Sequence, residues 1–530
     1  MKTNHLWVVL MVFLAALVWA NPEERLLDAD IWPKLTPERL SEMVAEGSLL
    51  DISDDDGNTP MHLAALLSPN PAVIERLLEL GAEVNVRNSS SETPLHLAAG
   101  WNAEAGVSQA LVDGGAMLEV KAADGQTPLM YAACTNPESS VLKVLLDAGA
   151  EIQVTDEGGW TPLLCAANAG GADKLQLLIA AGADVNYRDS EGSTPLHLAA
   201  STAPDTDALE VLIKAGAKVD VADEDGWTPL HYAAAWNGGA GAGEIIAYLV
   251  DKGIDVNART KSGETPLHVA SRVSGLPEVV HTLIDLGADV NARDEDGWTP
   301  LHGAAMLGSS ELLRTLVEAG SDVNARDKFC NTPFLLAVNF QDDPDSIKTL
   351  KELGADVNVR DGAGNNAIHQ LAAHGENAEL ISMLAEMGIE VNARNARKET
   401  PLHLAARKNA DPEIIAKLVE LGADVNAHDA DGWTPLHGAA RAGFDGNAAV
   451  LLELGADVDA RDLLSETPLH LAMQFNHDTD VMDVLLAAGA DTTLRTLAGA
   501  TAYDLLLKND DLTGSDAYLA LSPAREPCGK

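Results

Sequence analysis

The chain has 530 residues, 46% of them hydrophobic and only 4% aromatic, with a formal charge of −46. It carries enough apolar side chain to bury a core, and that core has to be built from Ala, Leu and Val. So acidic a surface repels phosphate backbones and anionic headgroups, which argues against nucleic acid and membrane surfaces and favours a protein partner with a basic face. Keeping a long molecule in solution is the other use of such a charge.

The chain opens MKTNHLWVVLMVFLAALVWA, one Lys followed by an apolar run from Leu6 to Val18. That run is short for a bilayer span, and it ends with small residues at Val18 and Ala20. Residues 1–20 therefore read as a secretory signal, with a mature start at Asn21, export, and no membrane insertion once the signal is cleaved. Thr36-Pro37 then starts a helix that runs to Gly47, placed as a capping half-repeat over 21–53.

From residue 54 the chain is periodic. Thr59, Thr93, Thr127, Thr161, Thr194, Thr228, Thr265, Thr299, Thr332, Thr400, Thr434 and Thr467 each precede Pro, and Asn366 and Thr501 hold the same slot without it. A step of about 33 residues means a stacked array, here of about fourteen units. Residues 399–428 show the physics of one unit. Thr400 caps a helix and Pro401 fills its first turn. Ala405 and Ala406 let neighbours approach closely. Asn409 to Pro412 turns the chain, and Ile414, Ile415, Leu418 and Val419 give a second helix one apolar face. Gly422 ends that helix by taking up a left-handed conformation, and a finger-like loop follows. Neither helix buries its apolar face alone, so each unit leans on the next. Asn366 lacks the Thr-Pro start, which predicts a weaker cap and an early-opening joint at 361–400. The Gly-rich run Gly238–Gly243 predicts a longer interhelical turn. Residues 496–521 read as a C-terminal capping repeat, with Leu512 to Leu521 covering its open end, and 522–530 as a disordered tail.

The intact Thr-Pro-Leu-His at Thr93, Thr194, Thr228, Thr265, Thr299, Thr400, Thr434 and Thr467, with Gly-Ala-Asp-Val-Asn-Ala-Arg or variants before most of them, resembles the ankyrin repeat. The resemblance covers about residues 54–510 and implies an all-α ankyrin-repeat solenoid of helix–turn–helix–finger units that binds protein on its concave side. It also implies that the motif His (His62, His96, His197, His231, His268, His302, His369, His403, His437 and His470) hydrogen-bonds between loops instead of acting in chemistry. The combination with an export signal is similar to exported, periplasmic bacterial ankyrin proteins.

Other chemistries fit less well. Asp223-Glu224-Asp225-Gly226 and Asp294-Glu295-Asp296-Gly297 resemble a calcium loop, but Val221, Ala292, Tyr232 and Gly303 stand where an EF-hand needs ligands, so a turn explains them better. No phosphate loop, zinc cluster, dinucleotide fingerprint or nucleophile elbow stands out, and no catalytic residue, metal or cofactor is expected. Cys134 and Cys165 lie in neighbouring repeats where a bridge is open to them; Cys330 and Cys528 have no evident partner.

The scarce aromatics remain. In the ankyrin pattern the residue before Thr and those seven and eight after it face the groove. Those slots hold Trp160, Trp227, Trp298 and Trp433 on the fingers, and Trp101, Trp236, Met306, Leu307, Phe340 and Phe475 on the first helices. Trp is enriched in binding hot spots, which makes these ten the candidate partner-binding residues. The competing account has each finger Trp lying flat on the neighbouring finger as packing. Three roles share this reading: a resident scaffold, a neutralising immunity protein for a toxic enzyme, and a secreted effector aimed at a host protein. An enzyme is the alternative of another class.

Overall fold

The computed structural model describes residues 22–340, 344–375, 377–477 and 479–509. The signal segment expected at 1–20, Cys528, the cover expected at 512–521 and the tail expected at 522–530 lie outside them. Among the described residues the secondary structure is helical, without a strand. None of these helices is long and apolar enough to cross a membrane.

The chain divides into two compact units, residues 1–266 with 285–288, and residues 267–284 with 289–530. Each is a stack of helix pairs. In the first, the helix Pro195–Thr202 packs on Pro229–Trp236, and Ala172–Ala180 packs on Asp207–Lys214. In the second, Pro401–Lys408 packs on Pro435–Ala442, and Pro412–Glu420 on Asp445–Glu453.

The sequence reasons for these elements recur along the array, with proline absent only after Asn366 and Thr501 among these capping positions. Thr228 is extended at φ −95°, caps Pro229–Trp236 and puts Pro229 in the first turn, where no N–H is needed. Leu230, Ala233 and Ala234 are fully buried, as are Ile245, Ile246 and Leu249 of the paired helix Ala242–Asp251. After that helix, Gly253 takes φ 103°, and the space a Cβ would enter is open to 4 Å, so the backbone angle and not crowding demands glycine there. The Gly-rich insertion is shorter as a turn than expected, because Ala242 and Gly243 already belong to the helix. A Cβ on Gly241 would run into the carbonyl of Pro204 in the preceding repeat.

At the N-terminal end Thr36 caps the helix Pro37–Ala45, accepting a hydrogen bond from the Arg39 N–H at 3.3 Å. Ahead of it lie two 3-10 helices, Pro22–Leu27 and Ala29–Lys34, which tuck Leu26 and Trp32 out of solvent entirely. The sequence pattern gives no sign of an element there.

One expectation is overturned. Asn366 caps Ala367–His374 fully: its Oδ1 accepts from the His369 N–H at 3.0 Å, and its Nδ2 donates to the Glu390 carbonyl at 3.0 Å. Asn is as good a cap as Thr, so this repeat loses the proline but not the cap.

Cys134 and Cys165 form a disulfide between the first helices of neighbouring repeats, their Cα atoms 4.5 Å apart. It closes the alternative left open by the spacing.

Candidate partner-binding face

The fingers are turns built by aspartate. Asp223 Oδ1 accepts from the N–H groups of Asp225 (2.9 Å) and Trp227 (2.8 Å), and the Asp223 N–H donates to the Trp227 carbonyl at 2.9 Å. Asp294 and Asp429 do the same for Trp298 and Trp433. These carboxylates are therefore occupied in holding a turn. Among the described residues no group of three or more His, Cys, Asp or Glu side chains converges to hold a metal.

The fingers are stitched to one another by the motif residues. Asn392 donates to the Gly422 carbonyl (2.8 Å) and accepts from the Asp424 N–H (2.9 Å), one repeat further on. Arg394 reaches the carbonyl of His428 in that same finger at 2.5 Å. The motif histidine completes the stitch. Nδ1 of His403 accepts from the Thr400 N–H at 3.1 Å, which leaves Nε2 as the protonated nitrogen, and this donates to the Trp433 carbonyl at 3.0 Å. His197 holds the carbonyl of Trp227 at 3.0 Å and His268 that of Trp298 at 3.1 Å. The His thus fixes the backbone on which a finger Trp stands. Met130 occupies the equivalent slot before Trp160. Burial pulls His197, His302, His369 and His437 down to about 4, which keeps the rings neutral, as an accepting Nδ1 requires.

The ten aromatic and apolar candidates separate into two kinds. The finger residues Trp160, Trp227, Trp298 and Trp433 are all half-buried. Trp298 and Trp433 lie nearly parallel to the His rings of their own repeats, His302 (23°) and His437 (19°). Trp433 Nε1 also donates to Asp462 of the next finger at 3.1 Å. Trp298 and Trp433 therefore pack chiefly on the motif His of their own repeats. The helix residues stand out: Trp101 is 50% exposed, Trp236 53%, Phe340 54% and Phe475 42%. All four are the eighth residue after the capping Thr. Leu307 holds the same slot and is exposed, whereas Met306 beside it is half-buried.

Some candidates come together. In the first unit Trp227 and Trp236 stack, centroids 5.0 Å apart and 15° between planes, with Tyr232 at right angles to Trp227. Trp101 meets the edge of Tyr131 at 5.3 Å. In the second unit Trp433 and Phe475 share the guanidinium of Arg441, which lies 5.4 and 4.7 Å from their ring centroids.

Sequence reading missed two sets of residues. The first is a ladder of Asn at the ninth position after Thr, buried at Asn102, Asn136 and Asn237 and half-buried at Asn409, each donating to two carbonyls of the preceding repeat. Where that Asn is missing, a residue of the second helix takes over, as Lys174 does for the Ala133 carbonyl and Asn447 for that of Ala406. The second set is apolar fingertips. Phe329, Leu463, Leu464 and Leu497 are 64, 68, 57 and 72% exposed at tip positions where fingers such as Glu224-Asp225 and Glu295-Asp296 carry acids. Both signals recur at fixed positions of the repeat, the Asn at the end of the first helix and the apolar residues at the fingertip.

A stack of Thr-capped helix pairs with His-stitched fingers defines a repeat protein of the protein-interaction class. The family model described as Ankyrin repeats (3 copies) matches residues 62–156, 105–189, 136–223, 163–260, 200–294, 244–327, 334–429 and 406–496, and the chain belongs to that family. Ankyrin repeat proteins are typically non-enzymatic scaffolds for protein interaction. No curated protein matches the chain.

Proposed function

We propose that this chain is an exported scaffold that recognises a partner protein through the face formed by its fingers and the ends of its first helices. The observation that carries this reading is the recurrence of an exposed aromatic at one repeat-relative position, Trp101, Trp236, Phe340 and Phe475. Large apolar side chains left half in water at the same slot cost solubility, whereas in an interface each supplies broad, rigid contact area. The acidic surface favours a basic partner by steering its approach. Export is supported by the apolar run Leu6–Val18 and by the Cys134–Cys165 bridge, which suits an oxidising compartment.

Cell fractionation with N-terminal sequencing of the native protein tests the export half: we expect a start at Asn21 outside the cytosol, and a cytosolic chain starting at Met1 refutes it. Affinity capture from that compartment, repeated with Trp101→Ala and Phe340→Ala together, tests the binding half. Capture that is indifferent to both substitutions sinks the assignment of this face.

A further inference from the structure

The first unit carries a cavity of about 370 Å³ with two unlike walls. One wall is aromatic, Trp227 stacked on Trp236, with Trp236 further braced by the edge of Tyr232 at 4.9 Å. The other wall is acidic: Glu191 from one finger, and Asp223, Glu224 and Asp225 from the next. Asp223 is committed to the turn and also accepts from Tyr232 Oη at 3.0 Å, while Glu191, Glu224 and Asp225 are exposed.

The second unit shows what such a place holds when the repeat supplies the occupant. There the seventh residue after the capping Thr434 is Arg441, and its guanidinium lies over both Trp433 and Phe475. After Thr400 the seventh residue is Arg407, and it pairs with Glu399, the finger residue just before that Thr, at 2.7 Å. The seat between finger and first helix thus takes an arginine against either an aromatic ring or a carboxylate. After Thr228 the seventh residue is Ala235, too short to enter. The cavity beside it offers both kinds of wall at once.

We propose that this cavity is the receiving pocket for an arginine side chain of a partner protein, its guanidinium plane on Trp236 and its N–H groups toward Glu224, Asp225 and Glu191. The assignment rests on the protein-binding reading above and names the chemistry of the partner. Arginine suits the pocket better than lysine because a planar, weakly hydrated cation stacks on indole while still presenting a fork of donors to carboxylates.

The test uses the full chain and four synthetic peptides of one Gly/Ser sequence, with three arginines, three lysines, three citrullines or three norleucines at the same positions. Binding is measured by calorimetry, with the indole N–H signals of the Trp-labelled protein as a local readout. The arginine peptide is expected to bind at least tenfold more tightly than the citrulline and norleucine peptides and severalfold more tightly than the lysine peptide. Trp236→Ala, and separately Glu224→Gln with Asp225→Asn, should each weaken it about tenfold, whereas Tyr248→Ala, on the paired helix Ala242–Asp251 and outside the lining of the pocket, should not; thermal melts establish that every variant is folded. Equal affinity for citrulline or norleucine, equal affinity for lysine, or indifference to Trp236→Ala would each overturn the proposal, the last by showing only diffuse attraction to an acidic surface. A captured native partner that binds Trp236→Ala undiminished would sink the pocket and leave the scaffold reading standing. Specific arginine binding with no partner captured would do the reverse.

Discussion

At His197, His302, His403 and His437 the motif histidine works as a neutral ring, Nδ1 accepting from its own repeat and Nε2 donating to the next. His197, His302, His369 and His437, held down to about 4, bind a proton in the unfolded chain near pH 6.5 but not in the fold. Between those limits the unfolded state carries the extra protons, so stability is full above pH 6.5 and is lost as pH falls toward 4. Thermal melts across that window should show Tm dropping steadily, and His403→Gln, which removes one titrating ring, should flatten the drop. A Tm independent of pH between 6.5 and 4 would mean that the rings are not buried neutral. The two kinds of aromatic should also part company. Trp433→Ala strips the ring from His437 and Asp462 and should cost about 1–3 kcal/mol, short of the 3–5 typical of a fully buried Trp. Trp101→Ala removes mostly exposed surface and should cost less than about 1 kcal/mol. Denaturant titration of the two variants separates these outcomes.

Among elements, the caps and tips decide where the array is tight. Because Asn366 is a working cap, the repeat around it should exchange its amide hydrogens no faster than its neighbours, and Asn366→Thr should change stability by less than about 0.5 kcal/mol. The fingertips carry the strain. Ser91, Cys330, Lys398 and Ser465 adopt φ of 61, 64, 59 and 55°, the conformation that glycine holds in the other tips. A left-handed non-glycine residue costs roughly 1–2 kcal/mol. Lys398 contributes to the turn through its backbone, donating to the Asn395 carbonyl and accepting from Arg394. Lys398→Gly should therefore raise stability by up to about 1 kcal/mol, less the entropy that glycine gains when unfolded. The Asn ladder works in the opposite sense: Asn237→Ala orphans the carbonyls of Ala200 and Ala203 and should cost about 1–3 kcal/mol by thermal or chemical melts.

For the molecule as a whole, repeats that touch only their neighbours make stability a sum along the chain, and a cross-link strengthens the stretch it spans. The Cys134–Cys165 bridge closes a loop of 31 residues, for which chain entropy assigns roughly 3–4 kcal/mol. Reduction should accordingly loosen the repeats on either side of it while leaving those of the second unit unchanged, which hydrogen exchange with and without reductant will display. Opening spread evenly over both units would contradict a neighbour-only array. The charge of −46 adds self-repulsion that salt screens, so moderate salt should raise Tm and slow any basic partner's association.

The repeat, its helix pairs and its caps were legible from the sequence because they follow from local chemistry: Thr before Pro, alanines where helices touch, glycine where φ turns positive. The same locality made the ten candidate positions legible as a set. What each does was not, because that depends on which side chains the folded stack turns toward one another, within a repeat and across to the next. The ring of His437 beneath Trp433, Arg441 between two aromatics, and the Asn237 amide spanning two carbonyls of another repeat are contacts set by side-chain direction and stacking, which no residue pattern prints. Local propensity fixes which backbone angle a residue takes, but burial and charge pairing depend on which neighbours the stack brings against it. The tertiary structure alone decided that Trp298 and Trp433 lean on the histidines of their own repeats, that the aromatics at the ends of the first helices stand half in water, and that Trp227, Trp236 and four acids line one cavity.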